Sequence, residues 1–381
     1  MRISSISKVA VLATVAVVAL VPSAVAYDLT GQGSSAVGNF IEKCKVAYQT
    51  STKDTFTYAA TGSGDGRTAI NNGTKDIGYS DGVNTTAPAG VFHIPAAVWP
   101  IAIAYNLNNS ASKQLQLTVP TIAGIFSGAI TRWNDPAIVA DTQRVRNIPV
   151  YKVTAGKTVL DANGSPVVDH YRKLSVPMTM PDKPITVLYR TGTSGTTENF
   201  TKGLAGAAPA VWTKAGASSF ATANPLDIST RASTFQGFAT SATIAAGAAA
   251  NKYSITYVEP SYVTINPALK IAAVINNAGN STTPDVAGAQ AMFAASDFND
   301  ATGIVTWAYA TKSPAAYLFT APTYAMVKSN YADAAKSAAV KRQVEFMAFG
   351  CADTVKDEPM IPIAKTSDLG KAILKLTAKI A

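Results

Sequence analysis

Apolar residues run through this chain in two rhythms. Near its end Leu369, Ile373, Leu376 and Ile380 recur at spacings of four, three and four, which places them on one face of a helix. The same rhythm predicts helices over residues 36–48, 122–126, 197–204, 334–349 and 367–380. Short, nearly unbroken apolar runs predict strands over residues 101–106, 185–189, 255–258, 271–275 and 317–327. Strands that alternate with helices argue for an α/β fold. Residues 143–184 break the pattern. They are polar, contain proline and are interrupted by Asp161-Ala162-Asn163-Gly164-Ser165, which predicts an inserted hairpin or long loop. Residues 201–251 are rich in Ala, Gly, Ser and Thr and predict helices with small side chains rather than disorder.

The first residues carry an export pattern. Arg2 and Lys8 precede an apolar run over residues 9–21, and Ala24-Val25-Ala26 offers a small-x-small cleavage site, so a signal peptide over residues 1–26 and a mature start near Tyr27 are expected. The apolar run is too short for a comfortable membrane span. The first cysteine is Cys44, well past the position a lipid anchor needs, so an unanchored, periplasmic protein is expected; a monomer is expected as well. About 355 residues then remain of 381, enough for two lobes.

Charge narrows the partners. Charged residues make up 14% of the chain, with a formal net charge of +9, or about +7 without Arg2 and Lys8. The excess is scattered, without a Lys/Arg run or interleaved aromatics, which argues against nucleic acid. A diffuse positive field favours an anionic ligand, although ordinary solubility charge explains it equally well. The two histidines, His93 and His170, and the two cysteines form no group with metal-ligand spacing, and no metal or cofactor is expected. Cys44 and Cys351 each sit on an apolar helical stripe, either joined in an oxidising compartment or as two thiols buried in one core.

The candidate chemistry lies in three Gly/Ser/Thr turns that open into helices. They are Gly31-Gln32-Gly33-Ser34-Ser35-Ala36, then Thr61-Gly62-Ser63-Gly64-Asp65-Gly66 before a short helix at residues 67–71, and Thr191-Gly192-Thr193-Ser194-Gly195-Thr196. A helix start presents free N–H groups and partial positive charge, and serine and threonine add hydroxyl donors without bulk. Any one such turn is more often only a cap; three in one chain point to a compact anion. Arg190 stands at a strand end directly before the third turn, where its planar fork suits two oxygens of a tetrahedral anion. Asp81 follows Ile77-Gly78-Tyr79-Ser80 at another strand end. A carboxylate facing an anion makes sense if the anion carries a proton, as hydrogen phosphate does and sulfate does not. A helix cap or a surface ion pair is the plainer alternative for Asp81.

These residues resemble the phosphate-binding proteins of Pst-type bacterial ABC transporters. The resemblance covers most of the mature chain and rests on Leu29-Thr30-Gly31-Gln32-Gly33-Ser34-Ser35, Gly62-Ser63-Gly64-Asp65-Gly66, Asp76-Ile77-Gly78-Tyr79-Ser80-Asp81, Tyr189-Arg190 with Thr193-Ser194-Gly195-Thr196, and Tyr257-Val258-Glu259. Its most specific segment runs from Ile125-Phe126-Ser127-Gly128 to Trp133-Asn134-Asp135-Pro136. The resemblance implies a two-lobed, type II periplasmic binding protein fold, each lobe a mixed sheet flanked by helices, with the ligand cleft at the hinge. It implies capture of inorganic phosphate and delivery to a membrane permease, and no catalysis. It places residues 27–97 and 318–381 in the first lobe and 98–317 in the second, so that Cys44 and Cys351 share a lobe and pairing is favoured. Carried over position by position, Ser35, the Ala36 N–H, Ser63, Asp81, Arg190, Ser194, the Gly195 N–H and Thr196 become the phosphate ligands. Three departures stand out. Gly192 replaces an acidic partner of the arginine, for which Asp65 is a candidate substitute; Gly64 replaces a frequent second serine; and the insertion at residues 143–184 is long.

Two other functions fit less well. Another oxyanion or a phosphonate-like ligand is suggested by Gly192. A serine hydrolase using Ser194 is suggested by Gly192-Thr193-Ser194-Gly195, but Thr196 stands where a nucleophile elbow needs glycine. Its base would have to be His93 or His170.

Overall fold

The computed structural model describes residues 26–107, 113–355 and 358–381. The predicted signal peptide therefore lies outside the described residues, apart from Ala26. Among the described residues no helix is long and apolar enough to cross a membrane.

Two five-stranded sheets organise the molecule, and they are built alike. The first runs in the order Thr55–Ala59, Asp28–Gly33, Ile77–Ser80, Thr320–Lys328, Val91–Pro100. Its first three strands are parallel and the last two join antiparallel. The second runs Phe235–Phe238, Thr186–Arg190, Ser254–Val258, Ala102–Asn106, Lys270–Ile271, again with three parallel strands followed by two antiparallel. Helices on both faces bury strands that are apolar almost throughout, such as Ile103 and Ala104 in one sheet and Ala325 and Met326 in the other. This is a two-lobed α/β architecture, as the alternation of strands and helices predicts.

The lobes are joined by continuous chain. Strand Val91–Pro100 passes through Ile101 straight into Ala102–Asn106 of the other sheet. The return crossing enters Thr320–Lys328 through Phe319. The two crossings are bonded to each other, with the Ile101 N–H donating to the Phe319 carbonyl at 2.7 Å and the Tyr317 hydroxyl donating to the Ile101 carbonyl at 2.7 Å. Cys44 on helix Gly38–Thr52 and Cys351 at the start of helix Cys351–Thr354 are joined as a disulfide, Cα to Cα 5.5 Å.

Several local expectations need correction. The predicted strand at 271–275 is two strands in different sheets, Lys270–Ile271 and Ala273–Ile275, because the Ala272 N–H turns to the Ile103 carbonyl while Ala273 pairs with Gln116. The short helix expected from Arg67 starts at Ser63. The glycines that read there as turn signals instead serve close packing, since a Cβ on Gly66 would lie 2.5 Å from the Tyr79 carbonyl oxygen. Residues 201–251 do hold helices, but also irregular chain and strand Phe235–Phe238. The helix predicted to Phe349 changes at Glu345 into a wider π turn over Phe346–Gly350. The insertion is a hairpin of Arg146–Tyr151 against Val168–Leu174 with a smaller one at its tip.

Candidate anion-binding site between the lobes

Six strands run parallel, three in each sheet, and each ends at one place. Asp28–Gly33 leads to Ser34 and Ser35, Thr55–Ala59 to Gly62 and Ser63, and Ile77–Ser80 to Asp81. From the other lobe, Thr186–Arg190 ends on Arg190 and leads to Ser194, Phe235–Phe238 leads to Ala239 and Ser241, and Ser254–Val258 leads to Glu259. Carboxyl ends of parallel strands are where open α/β sheets leave a crevice. Five of these loops pass within a few residues into helices, so several helix starts face the same crevice.

The predicted residues meet there. Asp81 is 2% exposed; one carboxylate oxygen accepts from the Ser34 hydroxyl at 2.7 Å and the Ser63 hydroxyl at 3.2 Å, the other from Thr323 at 2.7 Å. Thr323 is itself fixed by the Trp99 indole N–H at 2.8 Å. Burial pushes Asp81 above the usual carboxylate range, against the pull of these hydroxyls and of Arg190. Gly195 packs on the same pair, and a Cβ there would lie 2.6 Å from both the Asp81 Cβ and the Ser63 Oγ. No residue larger than glycine fits without moving the lobes apart.

Arg190, 3% exposed, holds the other side. Its Nη1 donates to Ser35 at 2.9 Å and Ser241 at 3.2 Å, while Nε and Nη2 grip the Ala239 carbonyl at 3.0 and 2.7 Å. Ser35 and Ser241 bond each other at 3.0 Å across the lobes. The Ala36 N–H donates to Ser34, and Ser194 caps its helix by accepting from the Thr197 N–H at 3.2 Å, which leaves its own hydroxyl hydrogen free to donate. Thr196 donates to buried Glu259 at 2.9 Å. Around this centre the lobes are tied by an Arg67–Glu198 ion pair at 2.8 Å, the Gly64 N–H on the Thr193 carbonyl at 2.9 Å and the Tyr262 hydroxyl on the Ser35 carbonyl at 2.8 Å. A cleft of about 510 Å³, bordered by Gly62, Asp65, Arg190 and Gly192, leads in from outside.

The departures acquire physical reasons. A serine at position 64 would collide with Thr193, whose Cβ would lie 2.5 Å from the new Cβ. At Gly192 nothing stands within 4 Å of where a Cβ would be, and the Arg190 fork is held by a backbone carbonyl rather than a carboxylate. Asp65 borders the same cleft but forms no ion pair with Arg190, which corrects the expectation that it substitutes for the missing acid. Neither histidine joins Ser194. His93 accepts the Asn84 N–H at 2.9 Å, and His170 pairs with Asp169 on the exposed insertion.

Sequence reasoning missed Ser34, Ser241, Glu259 and Thr323. The strand-end rule that singled out Asp81 and Arg190 would also have found Ser241 and Glu259, had it been applied to every parallel strand. Thr323 lies inside an apolar strand, where local pattern gives no signal.

The chain matches the PBP superfamily domain over residues 21–348. It is 30% identical to the phosphate-binding protein PstS 2 of Mycobacterium tuberculosis, covering 82% of this chain and 77% of that one. It is 28% identical to PstS 3 of the same organism, covering 88% and 82%. Among solved structures, a phosphate-binding protein from Stenotrophomonas maltophilia superposes with a TM-score of 0.60 at 20% identity, over 92% of this chain and 93% of that one, a likeness of fold. With two matched lobes and relatives covered over most of their length, the chain belongs to the PstS-type phosphate-binding protein family of the PBP superfamily.

Proposed function

We propose that this protein is an exported substrate-binding protein that captures inorganic phosphate between its lobes and presents it to an ABC permease. One observation carries the reading: six parallel strand ends from two lobes converge on a single guanidinium and a buried carboxylate surrounded by hydroxyls. A tetrahedral anion there would take N–H and O–H donors from Ser35, Ala36, Ser63, Arg190, Ser194, Gly195 and Thr196, with Ser63 turning its hydrogen from Asp81 to the anion, while Asp81 accepts the anion's own proton. A fully ionised sulfate has no proton to give and would face the carboxylate unshielded in a low-dielectric site. Its relatives' names support the ligand.

Residues 27–97 with 318–381 make up most of one lobe in this proposal and 98–317 most of the other, although Val98, Trp99 and Pro100 complete the first-lobe strand Val91–Pro100, and the lobes hinge at the bonded crossings through Ile101 and Phe319. Phosphate touches both lobes and so stabilises the closed form, which is what a permease would recognise. The site as described needs one chain, in keeping with a monomer working in the periplasm after loss of residues 1–26. Replacing Arg190 by alanine should cost about 2–5 kcal/mol of phosphate binding, since it removes a guanidinium from a desolvated site. Titration calorimetry checks this, and an unchanged affinity rejects the site. The open space at Gly192 favours one second reading, a phosphonate or phosphate ester whose substituent leaves by the cleft. Competition titrations with phosphonates separate the two.

A further inference from the structure

The proposed phosphate site holds a second buried carboxylate that the ligand set does not use. Glu259 is 3% exposed and directly follows strand Ser254–Val258. One oxygen accepts the Thr196 hydroxyl at 2.9 Å. The other is buried and has no hydrogen-bond partner. A structural cap would explain a glutamate before helix Pro260–Thr264, but this side chain makes no capping bond. A buried carboxylate oxygen left without a donor is costly, by more than the 1–3 kcal/mol typical of a neutral group.

Thr196 has one hydroxyl hydrogen. While it points at Glu259, the hydroxyl offers only lone pairs to anything else, which is the wrong face for an anion. A doubly negative ligand would also add to the field of Asp81 and Glu259, with Arg190 to oppose all three. Both difficulties are relieved by one proton from solvent. As the neutral acid, Glu259 donates to the Thr196 oxygen, and Thr196 turns its own hydrogen to the ligand.

We propose that Glu259 is a positioning residue that takes up a proton when the anion binds and, as the neutral acid, directs the Thr196 hydroxyl to the ligand. This rests on the phosphate reading. The surroundings agree with it. Burial raises Glu259 most, the Ser241 hydroxyl and then the Arg190 charge oppose it, and Asp81 across the lobes adds the smallest upward push. Tyr257 and Tyr262, the phenols on either side, are themselves pushed up, first by burial and then in part by the Glu259 charge.

Calorimetry in two buffers of different ionisation heat, at a pH where phosphate is the dianion, counts the protons taken up per phosphate. Wild type should take up about one more proton than Glu259→Gln. That variant should keep phosphate affinity within about threefold, because its amide donates permanently to Thr196, whereas Glu259→Ala should lose about tenfold or more. The same proton count in wild type and Glu259→Gln overturns the inference, as does a Gln variant as weak as the Ala variant. A wild-type protein that fails to bind phosphate would overturn the functional reading itself.

Discussion

Three hydroxyl groups, from Ser34, Ser63 and Thr323, converge on the two oxygens of Asp81. Each hydroxyl can rotate and the carboxylate cannot become a donor while it is ionised, so in the proposed site Asp81 is the group that would choose between anions. Asp81→Asn should narrow the preference for phosphate over sulfate, because an amide neither repels sulfate nor demands a proton. Competition titration reads the ratio, and an unchanged ratio removes Asp81 from that role. A second buried group sets acid stability. Burial, with the Arg67 charge behind it, drives His93 from the ordinary 6.5 down to about 4. The unfolded chain therefore binds the proton first, and stability present above pH 6.5 drains away as the pH falls towards 4. The loss over that range amounts to about 3 kcal/mol. His93→Gln keeps an acceptor for the Asn84 N–H and should flatten the fall of the melting temperature over the same range. Parallel curves would contradict this. Asp81 and Arg190 were legible in the sequence because each ends a strand before a helix start. Thr323 and Trp99 were not, since their pairing depends on a strand that enters the sheet 224 residues after the tryptophan.

At the scale of elements, an ion pair ties a helix of one lobe to a helix of the other. Ser63–Asn71 brings Arg67 and Gly195–Ala207 brings Glu198, and their ion pair is backed by Lys202 and by Arg67 Nε on Ser80. Burial resists the Glu198 charge, but Lys202 and Arg67 outweigh it and hold its carboxyl below the ordinary 4.5. The bridge is thus fully formed above that value and is lost as the pH falls through the lowered one. Glu198→Gln should weaken phosphate and arsenate together, by several-fold at neutral pH, and leave their ratio unchanged because the pair never touches the ligand. A change in that ratio, measured by titration, would show that the bridge does more than close the lobes. The helices themselves were readable from apolar spacing, as at residues 367–380, where Asp368–Thr377 forms with its predicted face buried. The start at Ser63 was not, because Gly64 and Gly66 look like turn residues until the strand they pack against is known.

For the whole molecule, two sheets of the same plan are linked by a bonded pair of crossings at Ile101 and Phe319. The Cys44–Cys351 link joins residues 307 apart in sequence and ties helix Gly38–Thr52 to helix Cys351–Thr354. Replacing both cysteines by serine should lower stability by about 2–5 kcal/mol and the melting temperature with it, while phosphate affinity stays unchanged. Lost affinity would mean that the disulfide shapes the cleft. Alternation of strands and helices was enough to announce an α/β chain. The assignment of strands to sheets was not visible in that alternation, and Ile271 and Val274 show why: one apolar run divides between two sheets because each half finds a different neighbour. The central claim is that this crevice takes a protonated tetrahedral anion and refuses an unprotonated one. Titration calorimetry of phosphate and of sulfate into the phosphate-depleted mature protein tests it directly. One phosphate bound tightly per chain, with no sulfate heat at the same concentrations, is the predicted result. Equal binding of the two anions, or no heat from phosphate, would contradict it.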